Sequence, residues 1–325
     1  MKNCLLLFCL ALIFALGCKK EDKGPMLITD PCFIDSTFTI YSHYPIITSI
    51  TVNPNNPDEF AFVKKADSTS CCKKSLMIFN MATKELRLVY EGAVEFPDWS
   101  KKNWILFENY DDYKFYKIKS NGDSLTQCLN PISSHRFRWN SEGDKFIYGF
   151  YENGDLGVHI CDEDGAISQT YESNFSTKFD TWRHDSLLAS ADNYYPYDSN
   201  TYINVFTPIE VMNSSSYHAK AIIFGGEVGR GCDWIDNEIL VVATSNGIYK
   251  VNFANPMVGE VEKIFEKNCN SSTYKNPCIV RQTKKVILQR TDFEITGKNQ
   301  ATAHTSLVSM NLDGTNEETI EIPGL

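Results

Sequence analysis

Two short stretches combine residue types that recognise ligands: Tyr110, Asp111 and Asp112 in ENYDDY, and Tyr194, Tyr195, Tyr197 and Asp198 in DNYYPYDSNT. A phenol ring offers amphipathic area with few rotatable bonds, and a neighbouring carboxylate offers acceptors, a pairing suited to sugars or peptides. The same residue types also cap strand ends, and both readings stand. Catalytic spacings are absent: no GxSxG elbow, Walker loop or GxGxxG occurs, so hydrolase-elbow and nucleotide chemistry have no sequence support. The six histidines are scattered singly, without HExxH spacing, so no metal site and no cofactor is expected. Paired-carboxylate chemistry stays open, because two acids about 5 to 9 Å apart can come from distant parts of a chain.

The cysteines carry a different chemistry. Cys4 and Cys9 lie in the apolar run Cys4 to Leu16, which follows Lys2 and is too short to span a bilayer as a helix. This run reads as a secretory signal over residues 1–17. It ends in Ala15-Leu16-Gly17-Cys18, which resembles a bacterial lipobox; the resemblance implies that Cys18 is acylated, with palmitate-type chains, and becomes the new N-terminus. Lys19-Lys20-Glu21-Asp22 is similar to the short tag on surface lipoproteins of the Bacteroidetes. That resemblance implies an outer-membrane anchor, and residues 18–36, with Gly24, Pro25 and Pro31, read as lipidated Cys and tether. Of the remaining thiols, Cys269 and Cys278 flank one loop and are the expected disulfide; Cys128, Cys161 and Cys232 lie in apolar runs and are expected as buried thiols.

Composition narrows the partners. The 325 residues include 42% hydrophobic residues, enough for a full core, and Asp+Glu 41 against Lys+Arg 31 gives a formal charge of -10. An acidic chain does not steer toward phosphate backbones, so nucleic acid is not an expected partner.

The elements that must hold these residues repeat. FPDWSKKNWILFENYDDYKFYKIKSNGDSLTQCL contains a strand ending in PDWS, an apolar strand WILF, a strand YKFYKIK, the turn SNGD and a last strand. Copies follow at FRWNSEGDKFIYGF, FDTWRHDSLLASA and CDWIDNEILVVA, with weaker ones at ITVNPNNPDEFAFV and PCIVRQTKKVILQR. The anchors are Val52, Trp99, Trp139, Trp182, Trp234 and Cys278 or Ile279, a period of roughly 40 to 50 residues that marks propeller blades. Short Val, Ile, Phe and Tyr runs bounded by Gly, Asn and Asp turns make each unit four antiparallel strands, and six units give an all-β, six-bladed β-propeller over residues 37–325. A Trp recurring once per blade is read as inter-blade packing.

The phrase W-S/N-x-x-G/N-x-x-I-x-F followed by an N/D-G turn resembles the TolB-type propeller repeat, best in the second and third units. The resemblance implies the fold, while function must be argued from a site. FTIYSHY at 38–44 reads as a further strand, adding to the last blade or covering the seam. The connections between second and third strands, at 64–74, 108–113, 192–201 and 291–304, read as long irregular loops on one face, where function concentrates. The expected role is therefore a non-catalytic module that binds protein or glycan through this face, with a glycan hydrolase or lyase carrying carboxylates in the central pocket as the alternative.

Overall fold

A computed structural model describes residues 38–42, 46–66, 73–129, 134–152, 155–173, 180–183, 187–192, 201–206, 219–223, 229–236, 238–244, 247–254, 259–266 and 272–325. Its strands form six sheets, and no helix occurs among the described residues. Blade one is Ile46–Val52, Glu59–Lys65, Lys74–Asn80 and Leu86–Gly92. Blade two is Val94–Trp99, Trp104–Asn109, Lys114–Lys119 and Thr126–Leu129. Blade three is Ser134–Trp139, Lys145–Glu152, Asp155–Asp162 and Ile167–Ser173. Blade four is Thr181–Arg183, Leu187–Asp192, Thr201–Phe206 and Ala219–Ile223. Blade five is Gly229–Trp234, Ile239–Thr244, Gly247–Asn252 and Glu260–Glu266. In each, strands pair antiparallel in chain order, with the first innermost.

Blade six differs at its outer edge. Ser272–Val280, Lys285–Gly297 and Gln300–Asn311 form its inner three strands. Two short strands then share the outside of the third: Glu318–Ile320 lies antiparallel on Leu307 to Ser309, and Thr39–Ser42 lies parallel on Gln300 to Ala303. The start of the propeller thus joins its last blade. The segment 291–304, expected as an irregular loop, is instead the end of a long hairpin whose pairing runs from Lys285↔Asn311 to Gly297↔Gln300, with Asn299 in the left-handed region (φ 54°). The Thr, Ile and Ala residues of this stretch suit a paired strand, and the N-terminal strand caps its edge.

The anchors pack as expected, each onto the blade before it. Trp99 joins Ala61, Val63, Leu76 and Ile78 of blade one; Trp139 joins Leu106 and Phe115 of blade two. Trp182 meets Ile147, Val158 and Ile160, and Trp234 meets Ala189, Ile203 and Val205. Ile279, rather than Cys278, completes the series against Val241, Ala243 and Ile248. At the seam, Ile47, Ile50, Phe60 and Phe62 of blade one pack on Val280, Ile287 and Leu307 of blade six. Wedge-shaped gaps between twisted sheets need bulky fillers, which is why one large side chain recurs per blade.

The expected hairpin turns also form. Gly165 and Gly314 have φ of 93° and 80°, and a Cβ on either would meet a carbonyl oxygen, Cys128 O at 2.1 Å or Ile264 O at 2.2 Å. The turn needs glycine both for its backbone and for contact with the preceding blade.

Candidate functional site

The inner strands enclose an axial channel, a cavity of about 730 Å³. Its wall is set by the alternation of side chains along a strand: the residue before each buried anchor points the other way. That position is Thr51, Asp98, Arg138, Thr181, Asp233 and Cys278 in blades one to six, and all six line the cavity. With six blades around one axis, blade two faces blade five, so Asp98 and Asp233 face each other across the channel, while Arg138 neighbours Asp98.

Each member of this ring ties its blade to an adjacent one. Trp99 N–H donates to Thr51 Oγ1 (3.2 Å) and Trp139 N–H to Asp98 Oδ2 (2.6 Å). Arg138 Nε donates to Asp180 O (2.5 Å), Thr181 Oγ1 to Asp233 Oδ1 (3.0 Å) and Ile279 N–H to Asp233 Oδ2 (2.9 Å). Cys278 Sγ closes the circuit toward Ile50 O at 3.4 Å. Edge N–H groups of the inner strands would otherwise lack acceptors, and a short polar side chain on the neighbouring blade supplies them.

Asp98 is reached from the channel but sits deep in the ring. Loss of bulk water pushes its carboxyl up to about 6; Arg138 and the Trp139 N–H pull it down, Asp233 pushes it further up and Arg281 lowers it. Cys278 has no disulfide partner among the described residues, and the partner expected from sequence, Cys269, lies outside them. Burial pushes the Cys278 thiol well above its ordinary range, with Asp233 adding to the effect, so it is poorly nucleophilic. It follows a bulge and faces the seam. Cys161 and Cys232 are buried thiols as expected, and Cys128 is half-buried.

Three residues before the anchor, the inner strands bulge. Phe96, Gly231 and Asn276 occupy this equivalent place with φ of 50°, 107° and 52°, where the ladders skip between Glu95 and Asp98, Gly229 and Cys232, and Lys275 and Cys278. Gly and Asn suit a left-handed backbone, whereas Phe there is strained. Phe96 lines the channel mouth, edge-on to Tyr110 at 6.3 Å between ring centroids, and Tyr110 lies 6.0 Å from Tyr113. Tyr113 also has positive φ (55°) and is 65% exposed; Tyr110 is 37% exposed. A row of three rings thus leads from the outer face to the channel.

The loop expected at 108–113 is a tight turn between the strands ending at Asn109 and starting at Lys114. Asn109 Oδ1 accepts the Asp111 N–H (3.0 Å), leaving the Asp111 side chain exposed. Asp112 is engaged, accepting from Tyr116 Oη at 2.7 Å. Beneath Tyr110 lies a buried ion pair between Lys74 and Glu95, with Thr48 and Ser49 hydroxyls donating to Glu95 Oε2 at 3.2 and 3.3 Å. Lys74 Nζ stands 5.1 Å from the Tyr110 ring centroid. Burial, then Glu108 and Glu95, push the Tyr110 phenol up to about 12, so it stays a neutral donor and stacking surface at physiological pH.

Of the residues singled out in the sequence, Tyr110, Asp111 and Asp112 sit together on this rim. Tyr194, Tyr195, Tyr197, Asp198 and Cys18 lie outside the described residues. The channel ring has no motif of its own in the sequence; its signal is the polar residue before each tryptophan, D in PDWS, R in FRWN, T in DTWR and D in CDWI. The indoles are 5%, 5%, 5% and 1% exposed for Trp99, Trp139, Trp182 and Trp234, too little to stack a ligand. Among the described residues, no group of three or more His, Cys, Asp or Glu gathers as a metal site.

No protein-family model matches the chain, and no curated protein matches its sequence. Solved structures match its fold. A TolB structure from Agrobacterium tumefaciens superposes with a TM-score of 0.56 at 16% identity, over 78% of this chain and 90% of that one. The β-propeller domain of the Trilobed protease from Pyrococcus furiosus gives 0.55 at 12% identity, over 87% and 100%. An acylaminoacyl peptidase from Pyrococcus horikoshii gives 0.56 at 11% identity over 86% of this chain, which spans only 52% of that longer protein. These likenesses establish a TolB-like propeller fold.

Proposed function

We propose that the protein is an exported, lipid-anchored propeller of the outer membrane that binds a protein or glycan at the channel mouth beside Tyr110. The observation that carries this reading is the aromatic row Phe96, Tyr110 and Tyr113, two of its members held at positive φ and two exposed. Backbone strain in bulky residues persists where surrounding structure compensates it, and it concentrates at functional sites. Asp111, with its carboxylate exposed beside these rings, supplies an acceptor. The propeller of the Trilobed protease is one domain of a protease, which is consistent with this fold serving as a recognition module. Acylation of Cys18 places the rim at a membrane surface through the tether 18–36.

The experiment is a glycan and peptide array probed with the full chain and with Tyr110→Ala and Tyr113→Ala. Captured ligands should lose at least tenfold in affinity in both variants; unchanged capture would remove this rim from consideration. Cys18→Ala should release the protein from membranes to the soluble fraction, and retention would refute the anchor.

The rival reading, a glycan hydrolase or lyase, has one observation in its favour: Asp98, with its carboxyl raised to about 6, faces Asp233 across the channel. Against it, both carboxylates hold main-chain N–H groups of the next blade. Turnover of any glycan that is abolished in Asp98→Asn would favour this rival.

A further inference from the structure

Asp98, Asp233, Arg138 and Arg281 all line the same channel. Among the described residues, neither carboxylate lies within ion-pairing distance of either guanidinium. Charges of opposite sign that share a confined space normally pair, since leaving them apart forgoes their attraction. Here inter-blade hydrogen bonds hold them apart: Asp98 Oδ2 is fixed by Trp139 N–H, Asp233 by Thr181 and Ile279, Arg138 by Asp180 O and Phe137 O, and Arg281 by Trp234 O. The groups left unused belong to channel-lining residues. Asp98 Oδ1 and Arg138 Nη2, on adjacent blades, make no hydrogen bond to any described residue.

We propose that this layer is a binding site for a free α-amino acid, with the ligand ammonium on Asp98, facing Asp233, and the ligand carboxylate on Arg138. Asp98 Oδ1 and Arg138 Nη2 leave one acceptor and one donor on adjacent blades, so a plain cation or anion satisfies only one of them, whereas a ligand bearing both charges on one carbon can engage both. Pre-organisation by the ring removes the ordering cost that flexible charged side chains would carry. Trp99, Trp139, Trp182 and Trp234 also line the cavity but are at most 5% exposed, so charge rather than aromatic contact selects the ligand, and the cavity leaves room for a side chain along the axis. The inference goes beyond the rim described above and does not depend on what the rim holds.

The test is titration calorimetry on the full mature chain at pH 7.5 with the twenty common L-amino acids, ethylamine and propionate. At least one amino acid should bind, with ethylamine and propionate at least tenfold weaker. Asp98→Asn and Arg138→Gln should each weaken it at least tenfold, and Arg138→Lys, which keeps the charge, should weaken it less than Arg138→Gln. Arg281→Gln serves as a second variant if Arg138→Gln does not fold, with the same direction expected. Tyr110→Ala should leave amino-acid binding unchanged, which separates failure of this site from failure of the rim. Ethylamine or propionate binding as tightly as the amino acids, or no amino acid binding at millimolar concentration, overturns the proposal.

Discussion

The main-chain N–H of Trp139 donates to Asp98 Oδ2 at 2.6 Å across the boundary between blades two and three. One side chain therefore closes an edge of the inner sheet and, lining the channel, keeps a second oxygen without a hydrogen bond to any described residue. Structure and site share the same carboxylate.

This sharing sets a pH dependence. The carboxyl is raised from 3.8 to about 6, mainly by burial, so between pH 4 and 6 the folded chain keeps a proton that the unfolded chain has released. Stability falls as pH rises through that window and levels off above it, by on the order of 1–3 kcal/mol. Asp98→Asn retains an acceptor for the Trp139 N–H without the charge. Its melting temperature at pH 7.5 should rise by several degrees and its slope between pH 4 and 6 should flatten; a lower melting temperature would contradict the assignment.

Lys74 and Glu95 form a buried ion pair joining blade one to blade two. Lys74→Met leaves a buried carboxylate without its cation and should cost about 3–5 kcal/mol. Adding Glu95→Leu should recover most of that loss in urea denaturation, and a double variant as unstable as the single one would show that the pair does not act through its charge.

Phe96 stands where blades five and six place Gly231 and Asn276. Phe96→Gly relieves a left-handed backbone worth about 1–2 kcal/mol while losing ring packing, so the net change should stay within about 1 kcal/mol. An ordinary buried Phe would cost about 3–5 kcal/mol on truncation to Ala. A loss of that size on Phe96→Gly, read by urea midpoint, would mean that the ring is a core element and not a rim element.

The indole N–H groups of Trp99, Trp139 and Trp182 have no hydrogen-bond acceptor among the described residues. Trp139→Phe therefore removes area without breaking a hydrogen bond and should cost about 1–2 kcal/mol, against about 3–5 kcal/mol for Trp139→Ala. Equal losses in calorimetric melts would show that the indole nitrogen has a partner.

The repeat was legible because packing chemistry is local and periodic: a large residue at one place per blade, a Gly turn after a fixed interval, alternating strands between. From Trp99, Trp139, Trp182 and Trp234, with the weaker copies at Val52 and Ile279 and the Gly, Asn and Asp turns between strands, the blade count, the antiparallel strand order and the role of the tryptophans follow, and the structure bears out each of them. ENYDDY was legible as an exposed-looking aromatic stretch, although it was expected as a long loop and is a tight turn.

Of what depends on closure, only the strand at FTIYSHY adding to the last blade was legible, as one of two alternatives. That 291–304 is a hairpin edge covered by Thr39–Ser42 involves residues more than 250 positions apart, and strand pairing at that separation leaves no local period to read. That Cys278 Sγ meets Ile50 O follows from its place at the seam. Above all, the ring of Thr51, Asp98, Arg138, Thr181, Asp233 and Cys278 exists only when six strands stand around one axis. The sequence determined that each of these residues precedes an anchor and so faces away from the core; only the circular arrangement brought opposite charges into one channel, because blades adjacent in space present residues about 40 positions apart in the chain.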